Sequence, residues 1–200
     1  MDQWTVAVLG DGGVGKTALA VQFTLNCFLN FPILAETYDP TIEDAYRKRY
    51  IVDNRMCFVE VIDTAGQEEY ATLRDPWIQE GRGFILVYSI ASWSTFNRLE
   101  VFRQSVRRAK RGAPILMLVG NKCDKAFERE VSKEEGAALV RQFGCEFTET
   151  SAKKAKTWNV SLRASFAHYD KRAEWNQALY PISRRSALSC RDSFLDSIPC

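Results

Sequence analysis

The run Gly10-Asp11-Gly12-Gly13-Val14-Gly15-Lys16-Thr17 places glycines, a lysine and a hydroxyl at a spacing that can hold phosphate. Glycines let successive backbone N–H groups turn inward around phosphate oxygens, and a following helix N-terminus adds partial positive charge. In that pattern Lys16 reaches the β- and γ-phosphates and the Thr17 hydroxyl coordinates Mg2+. A chance match to G-x-x-x-x-G-K-[ST] in such a chain is on the order of 1%. A glycine-rich turn with a surface lysine is the bland alternative. It is disfavoured because the run lies between a predicted strand and a predicted helix, where the mechanism requires it. The residues expected to cradle phosphate are Gly12, Gly13, Val14, Gly15, Lys16, Thr17 and Ala18.

Three further groups sit at the ends of predicted strands. Asp63 closes the apolar strand Phe58 to Ile62, where an acid can orient Mg2+ through a water. Many strands end in Asp, so the residue gains force from its successors, Thr64-Ala65-Gly66-Gln67. Gly66 can bring its amide beside a γ-phosphate without a side chain in the way, and Gln67 can hold an attacking water. Asn121-Lys122-Cys123-Asp124 comes after another buried strand. A carboxylate at Asp124 can accept from both the N1–H and the 2-amino group of guanine, a donor pair that adenine lacks. Asn121 would tie this loop to the phosphate loop, and the Lys122 stem would pack on the base. Ser151-Ala152-Lys153, after the last strand, offers a backbone amide to the guanine O6. Ligands of open α/β sheets bind at these C-terminal strand ends.

The elements that must position these groups alternate along the chain. Trp4 to Leu9 reads as a strand, and Lys16 to Phe28 has helical spacing with Leu19, Phe23 and Cys27 four apart. Arg47–Val52 and Met56–Ile62 flank Asp53-Asn54-Arg55 as a hairpin. A loop comes next. Gly83–Ile90 and Pro114–Gly120 are continuous apolar runs, the mark of parallel strands buried on both faces. Between them the spacing predicts one helix over Ser94–Lys110, its basic end suited to a helix C-terminus. Ser132-Lys133-Glu134-Glu135 predicts a capping box opening a helix to Phe143, and Cys145–Thr150 is the last strand. The pattern is α/β with one antiparallel edge pair. Asn159–Trp175 predicts a final helix with a thin apolar stripe, and the residues from Pro181 onward predict disorder.

Composition bounds the rest. At 200 residues, with 46% hydrophobic and 26% charged, the chain is too apolar for wholesale disorder and sized for one domain, or one with a tail. No apolar run is long enough to span a membrane, and Met1-Asp2-Gln3-Trp4 does not begin a secretory signal. One histidine, His168, excludes a histidine-rich metal site or a catalytic histidine pair. The six cysteines (Cys27, Cys57, Cys123, Cys145, Cys190, Cys200) lack C-x-x-C spacing and read as reduced, several of them buried. Residues 1–150 carry 18 basic and 21 acidic side chains, residues 151–200 carry 9 and 4. That basic end is compatible with a nearby anionic surface, although a solvated tail explains it at least as well. Nothing in the balance argues for nucleic acid.

Taken in order, GDGGVGKT, YDPTIEDAYRK, DTAGQEEY, NKCD and ETSAK resemble the motifs of Ras-family small GTPases, nearest the fungal Ras type, from about Trp4 to Lys153. The resemblance implies a P-loop NTPase of the small G domain type: a six-stranded, mostly parallel sheet with one antiparallel edge strand and helices on both faces. Its domain would span residues 1–176, with 177–200 as a disordered tail. It implies GDP or GTP with Mg2+, slow GTP hydrolysis, and signalling to effectors in the GTP state. Thr41 would bind Mg2+ and the γ-phosphate, so the implied metal ligands are Thr17, Thr41 and Asp63, and Gln67 is the catalytic residue. Tyr38 would close over the nucleotide and Phe28 stack on guanine. An exchange factor, an activating protein and effectors would meet the surfaces Tyr38–Tyr46 and Ala65–Arg74, with Ile42-Glu43-Asp44 as the effector edge. Gly12 and Gly13 would leave room for Gln67 and for an arginine supplied by the activating protein. The chain would be a monomer in the cytoplasm, or at the cytoplasmic face of the plasma membrane if a lipid were attached.

Two stretches depart from the family. Leu29-Asn30-Phe31-Pro32-Ile33-Leu34-Ala35-Glu36-Thr37 makes the first switch about six residues longer than the family pattern, a length that a surface loop absorbs at low thermodynamic cost. This one must also order Thr41, so a guanine-nucleotide-binding protein that does not cycle is the alternative reading. At the C-terminus a prenylation box needs cysteine fourth from the end, where Ser197 stands; Cys190 and Cys200 remain as acylation candidates. Genuine divergence and misread splice junctions account equally for both departures.

Overall fold

A computed structural model describes residues 2–25, 43–52, 55–64, 66, 74–110, 112 and 114–154. In chain order these form β1 (Asp2–Gly10), α1 (Lys16–Leu25), β2 (Glu43–Val52), β3 (Arg55–Thr64), α2 (Arg74–Glu80), β4 (Gly83–Ser89), α3 (Trp93–Asn97), α4 (Leu99–Ala109), β5 (Ile115–Asn121), α5 (Lys133–Phe143) and β6 (Glu146–Glu149). One six-stranded sheet runs β2-β3-β1-β4-β5-β6. β2 pairs antiparallel with β3, from Glu43 opposite Thr64 to Val52 opposite Arg55. Every other pairing is parallel.

Alternation along β1 shows why both faces need cover. Val6 and Val8 point into one apolar cluster with Leu19 and Phe23 of α1, while Ala7 and Leu9 point into another with Leu99, Phe102 and Val106 of α4. β4 is buried along its length after Gly83, as its continuous apolar run predicts. The α4 triplet recurs at spacings of three and four, so one stripe of that helix faces the sheet while Arg107 and Arg108 stay exposed. At the end of α1, Lys48 from β2 donates to the Phe23 carbonyl at 2.5 Å and lies over its ring. α5 starts with the expected capping box: the Ser132 hydroxyl accepts from Glu135 N–H, and the Glu135 carboxylate accepts from Ser132 N–H. It ends at Gly144 in the left-handed conformation (φ 68°).

Three elements differ from the sequence reading. The single helix expected over Ser94–Lys110 is divided at Arg98 into α3 and α4. Apolar spacing runs through the break and so cannot reveal it. Side-chain bonds anchor the start of α3: the Thr95 hydroxyl accepts from Ser89 N–H at the end of β4 and donates to the Ser92 carbonyl, while Trp93 N–H donates to Glu130. The loop expected before β4 contains α2, whose seven residues are too few for periodicity to show. Trp77 and Ile78 hold it by burial, Trp77 against Ile62. β2 also begins earlier than expected, at Glu43. Cys57 is buried, Cys123 and Cys145 are half-buried, and all three are free thiols. The expected final helix over Asn159–Trp175, the tail, the hairpin turn at Asp53-Asn54, and Cys27, Cys190 and Cys200 lie outside the described residues.

Gly136 faces inward from α5, where a Cβ would stand 2.6 Å from Phe147 Cζ and 2.9 Å from the Tyr88 hydroxyl. Alanine in a helix interior gains about 1 kcal/mol over glycine, whereas overpacking a filled core costs about 1–3 kcal/mol. Gly136→Ala should therefore destabilise by about 1 kcal/mol, read from the urea unfolding midpoint; an unchanged or raised midpoint would contradict this packing.

Candidate nucleotide site

The strands β1, β3, β5 and β6 end on the same edge of the sheet, and each delivers one group of the predicted site. β1 stops at Gly10, the loop 11–15 turns, and α1 begins at Lys16 with its N-terminus toward the loop. Gly15 has φ 95°, and a Cβ there would lie 2.5 Å from Asn121 Nδ2. Both conformation and space exclude a side chain. Lys16 is buried and its Nζ donates to the carbonyls of Gly10 (3.2 Å) and Asp11 (2.9 Å). The ammonium is thus folded back over the loop. Gly66 is buried in the same place, where a Cβ would stand 2.5 Å from Lys16 Nζ and 2.6 Å from the Asp11 carbonyl.

Asp63, at the end of β3, is fully buried, and one of its oxygens accepts from the Thr17 hydroxyl at 2.5 Å. The other, Oδ1, is buried with no hydrogen-bond partner among the described residues. Burial pushes the Asp63 carboxyl up to about 6, against the opposing pull of the Thr17 hydroxyl and the Lys16 charge. Among the described residues no group of three or more His, Cys, Asp or Glu could hold a metal ion. A hydroxyl beside a carboxylate with an unused buried oxygen fits Mg2+, which takes few protein ligands and completes its shell with phosphate oxygens and water.

The side expected to recognise the base is built on Asn121, the last residue of β5. Its Nδ2 donates to the Val14 carbonyl at 2.8 Å, and its Oδ1 accepts from Ala152 N–H at 3.4 Å. The tie to the phosphate loop expected from the sequence is therefore present, and it extends to the segment after β6. Of the segment Ser151-Ala152-Lys153, expected to offer a backbone amide to the guanine O6, the Ala152 amide points toward Asn121. Lys122 takes the left-handed conformation (φ 64°) and its Nζ donates to the Gly13 carbonyl at 2.6 Å, its burial lowering the ammonium's proton affinity. The Ser151 hydroxyl donates to Asp124 Oδ1 at 2.5 Å and so orients the carboxylate. Lys153 is exposed. A bidentate pair of Arg129 with Glu149 (2.7 and 2.9 Å) holds the end of β6 under this loop.

Gly12, Gly13, Val14, Gly15, Lys16, Thr17, Ala18, Asp63, Gly66, Asn121, Lys122, Asp124, Ser151, Ala152 and Lys153 all fall in described residues. Phe28, Tyr38, Thr41 and Gln67 lie outside them. Two contributors escape sequence reasoning: the Ser151 hydroxyl as an orienter of Asp124, and Arg98, which pairs with Asp11 at 3.3 Å. Asp11 is visible as a charge in a phosphate loop, but its partner is not predictable from spacing.

A model of the Ras family matches residues 5–169. Ras-like protein 1 of Pyricularia oryzae is 53% identical over 167 residues, spanning 74% of this chain and 67% of its own length. Protein ras-2 of Neurospora crassa is 51% identical over 170 residues, 75% of this chain and 72% of its own. Ras-like protein B of Aspergillus fumigatus is 49% identical over 177 residues, 76% and 72%. The phosphate loop, the buried acid beside its hydroxyl and the loop tied across by Asn121 thus stand in a sequence that matches one family across most of its length: the chain belongs to the Ras family of small GTPases.

Proposed function

We propose that this GTPase binds GDP and GTP with Mg2+, hydrolyses GTP slowly, and signals to effectors in its GTP state. The observation that carries the reading is the Asn121 side chain, bonded to Val14 on one side and near Ala152 on the other. It supports a site in which a base at Asp124 and phosphates at Gly12–Ala18 belong to one molecule. Asp124, oriented by Ser151, accepts from the guanine N1–H and 2-amino group, with the Lys122 stem and Phe28 packing on the base. Backbone amides of the loop take the phosphates, and Lys16 exchanges the Asp11 carbonyl for phosphate oxygens. Thr17 and Asp63, with Thr41, would hold Mg2+, which supplies charge neutralisation of the phosphates. Gln67 orients the attacking water, and the Gly66 amide marks the γ-phosphate. Thr41 and Tyr38 order when that phosphate is present and are released when it leaves. Hydrolysis is slow because no arginine stands within these motifs to stabilise the transition-state charge. Exchange factor, activating protein and effectors meet the surfaces Tyr38–Tyr46 and Ala65–Arg74; Glu43 and Asp44 lie on β2, the edge strand of the sheet among the described residues.

Single-turnover GTP hydrolysis with and without an activating protein tests the switch, and competition of GTP against ATP tests the base. Rapid displacement by ATP, or no acceleration by any activating protein of the fungal Ras type, would remove the reading. Asp124→Asn should weaken guanine nucleotide by about 1–3 kcal/mol and shift preference toward xanthine nucleotides, whose 2-oxo group needs a donor. Equal guanine affinity in the variant would take base recognition away from Asp124. Gln67→Leu should leave GDP and GTP affinity within a few-fold while single-turnover hydrolysis falls by about tenfold or more. A parental rate would exclude Gln67.

The Asp63 carboxyl gives a pH signature. A proton and a cation compete for it, so protonation below about pH 6 should weaken Mg2+-dependent nucleotide retention. Nucleotide release timed at fixed Mg2+ should accelerate as pH falls through that value, and Asp63→Asn should release fast at every pH. Release that does not change with pH on either side of that value in the parent would contradict the assignment.

A further inference from the structure

The phosphate loop carries a carboxylate of its own. Asp11 is the first residue after β1, and its backbone carbonyl accepts from Lys16 Nζ at 2.9 Å, next to where an anionic ligand must sit. A bare negative charge there opposes phosphate binding. The side chain is not bare. Its Oδ1 accepts from Gly12 N–H at 2.8 Å and stands 3.3 Å from Arg98 Nη1. Arg98 comes from the break between α3 and α4, where its N–H donates to the Ser94 carbonyl and its own carbonyl accepts from Val101 N–H. Both side chains are mostly covered, at 29% and 18% exposure, so the pair is less screened than one at the open surface.

We propose that Arg98 is a positioning residue for the phosphate loop: its guanidinium holds the Asp11 carboxylate against the Gly12 amide and offsets its charge, making the loop receptive to a triphosphate. Arg98 stands at the α3–α4 junction, so its pair with Asp11 couples loop geometry to that junction. The charge left by losing Arg98 acts most strongly on the ligand with most negative charge. GTP should suffer more than GDP, a difference that simple loosening of the helix junction does not produce. The inference rests on the guanine-nucleotide reading above.

The test measures GDP and GTP affinities by displacement of a fluorescent guanine nucleotide from the full chain. Arg98→Ala should weaken GTP about five- to tenfold more than GDP. Adding Asp11→Asn to that variant should bring the GTP-to-GDP ratio back to within about twofold of the parent, because the offending charge is gone. Arg107→Ala, which removes an exposed cation from the far end of α4, should leave the ratio unchanged. If Arg98→Ala does not fold, Arg98→Gln keeps most of the side chain without its charge and should show the same selective loss. Equal weakening of both nucleotides, or a deficit that persists in the double variant, would overturn the role given to Arg98. A parent chain that binds neither nucleotide would instead overturn the guanine-nucleotide reading.

Discussion

One side-chain amide holds the site together. Asn121 bonds the Val14 carbonyl across 107 residues of sequence, and its other end meets the Ala152 amide. Both ends are buried, so each bond satisfies a group that would otherwise be costly to hide from water. Together with Lys122 on the Gly13 carbonyl, that bridge sets the distance between the loop proposed to select a base and the loop proposed to hold phosphates. The requirement reaches back into the fold. Gly15 must lack a side chain because Asn121 occupies the space, and β5 runs two residues past the level of Gly10, which pairs through Val87 with Val119, to bring the amide to the loop.

Electrostatics are arranged around that frame. Two lysines, Lys16 and Lys122, direct their ammonium groups at backbone carbonyls of the phosphate loop, which keeps the cations local and the loop folded. Carboxylates are held as well: Asp63 by Thr17, Asp124 by Ser151, Asp11 by Gly12 N–H and Arg98. Each donor fixes an orientation. Asp63 is buried deeply enough for desolvation to outweigh the pull of Thr17 and Lys16, which pushes its carboxyl up.

The scaffold supplies rigidity by covering both faces of a parallel sheet. β1 and β4 sit at the centre, with apolar side chains alternating between the α1 side and the α4–α5 side. Strand ends therefore cannot shift without disturbing two packed clusters. Gly136 and Gly120 let α5 and β5 approach the Tyr88 ring and hydroxyl, since a Cβ at either would stand within 3 Å of that oxygen. Packing this close converts small sequence choices into fixed positions for loops at the edge.

Segments with a local signature were legible in the residues alone. The run Gly10–Thr17, the acid closing β3, NKCD and SAK could each be picked out because the residues needed lie within a few positions of one another. The parallel core strands and the capped α5 were legible for the same reason, through apolar runs and a box of four residues. Tertiary structure decided what spans distance. The helical pattern continues across Arg98 and so does not show the division of α3 from α4, and the bonds of Thr95 to Ser89 and of Trp93 to Glu130 anchor α3 to residues outside it. α2 is held by burial of Trp77 and Ile78, in a stretch too short for period to register. The Ser151 hydroxyl on Asp124 joins residues 27 positions apart, and the Arg98 guanidinium reaches Asp11 from a different helix junction altogether. No spacing rule encodes such pairs; they exist because a sheet brings the ends of separate strands to one edge.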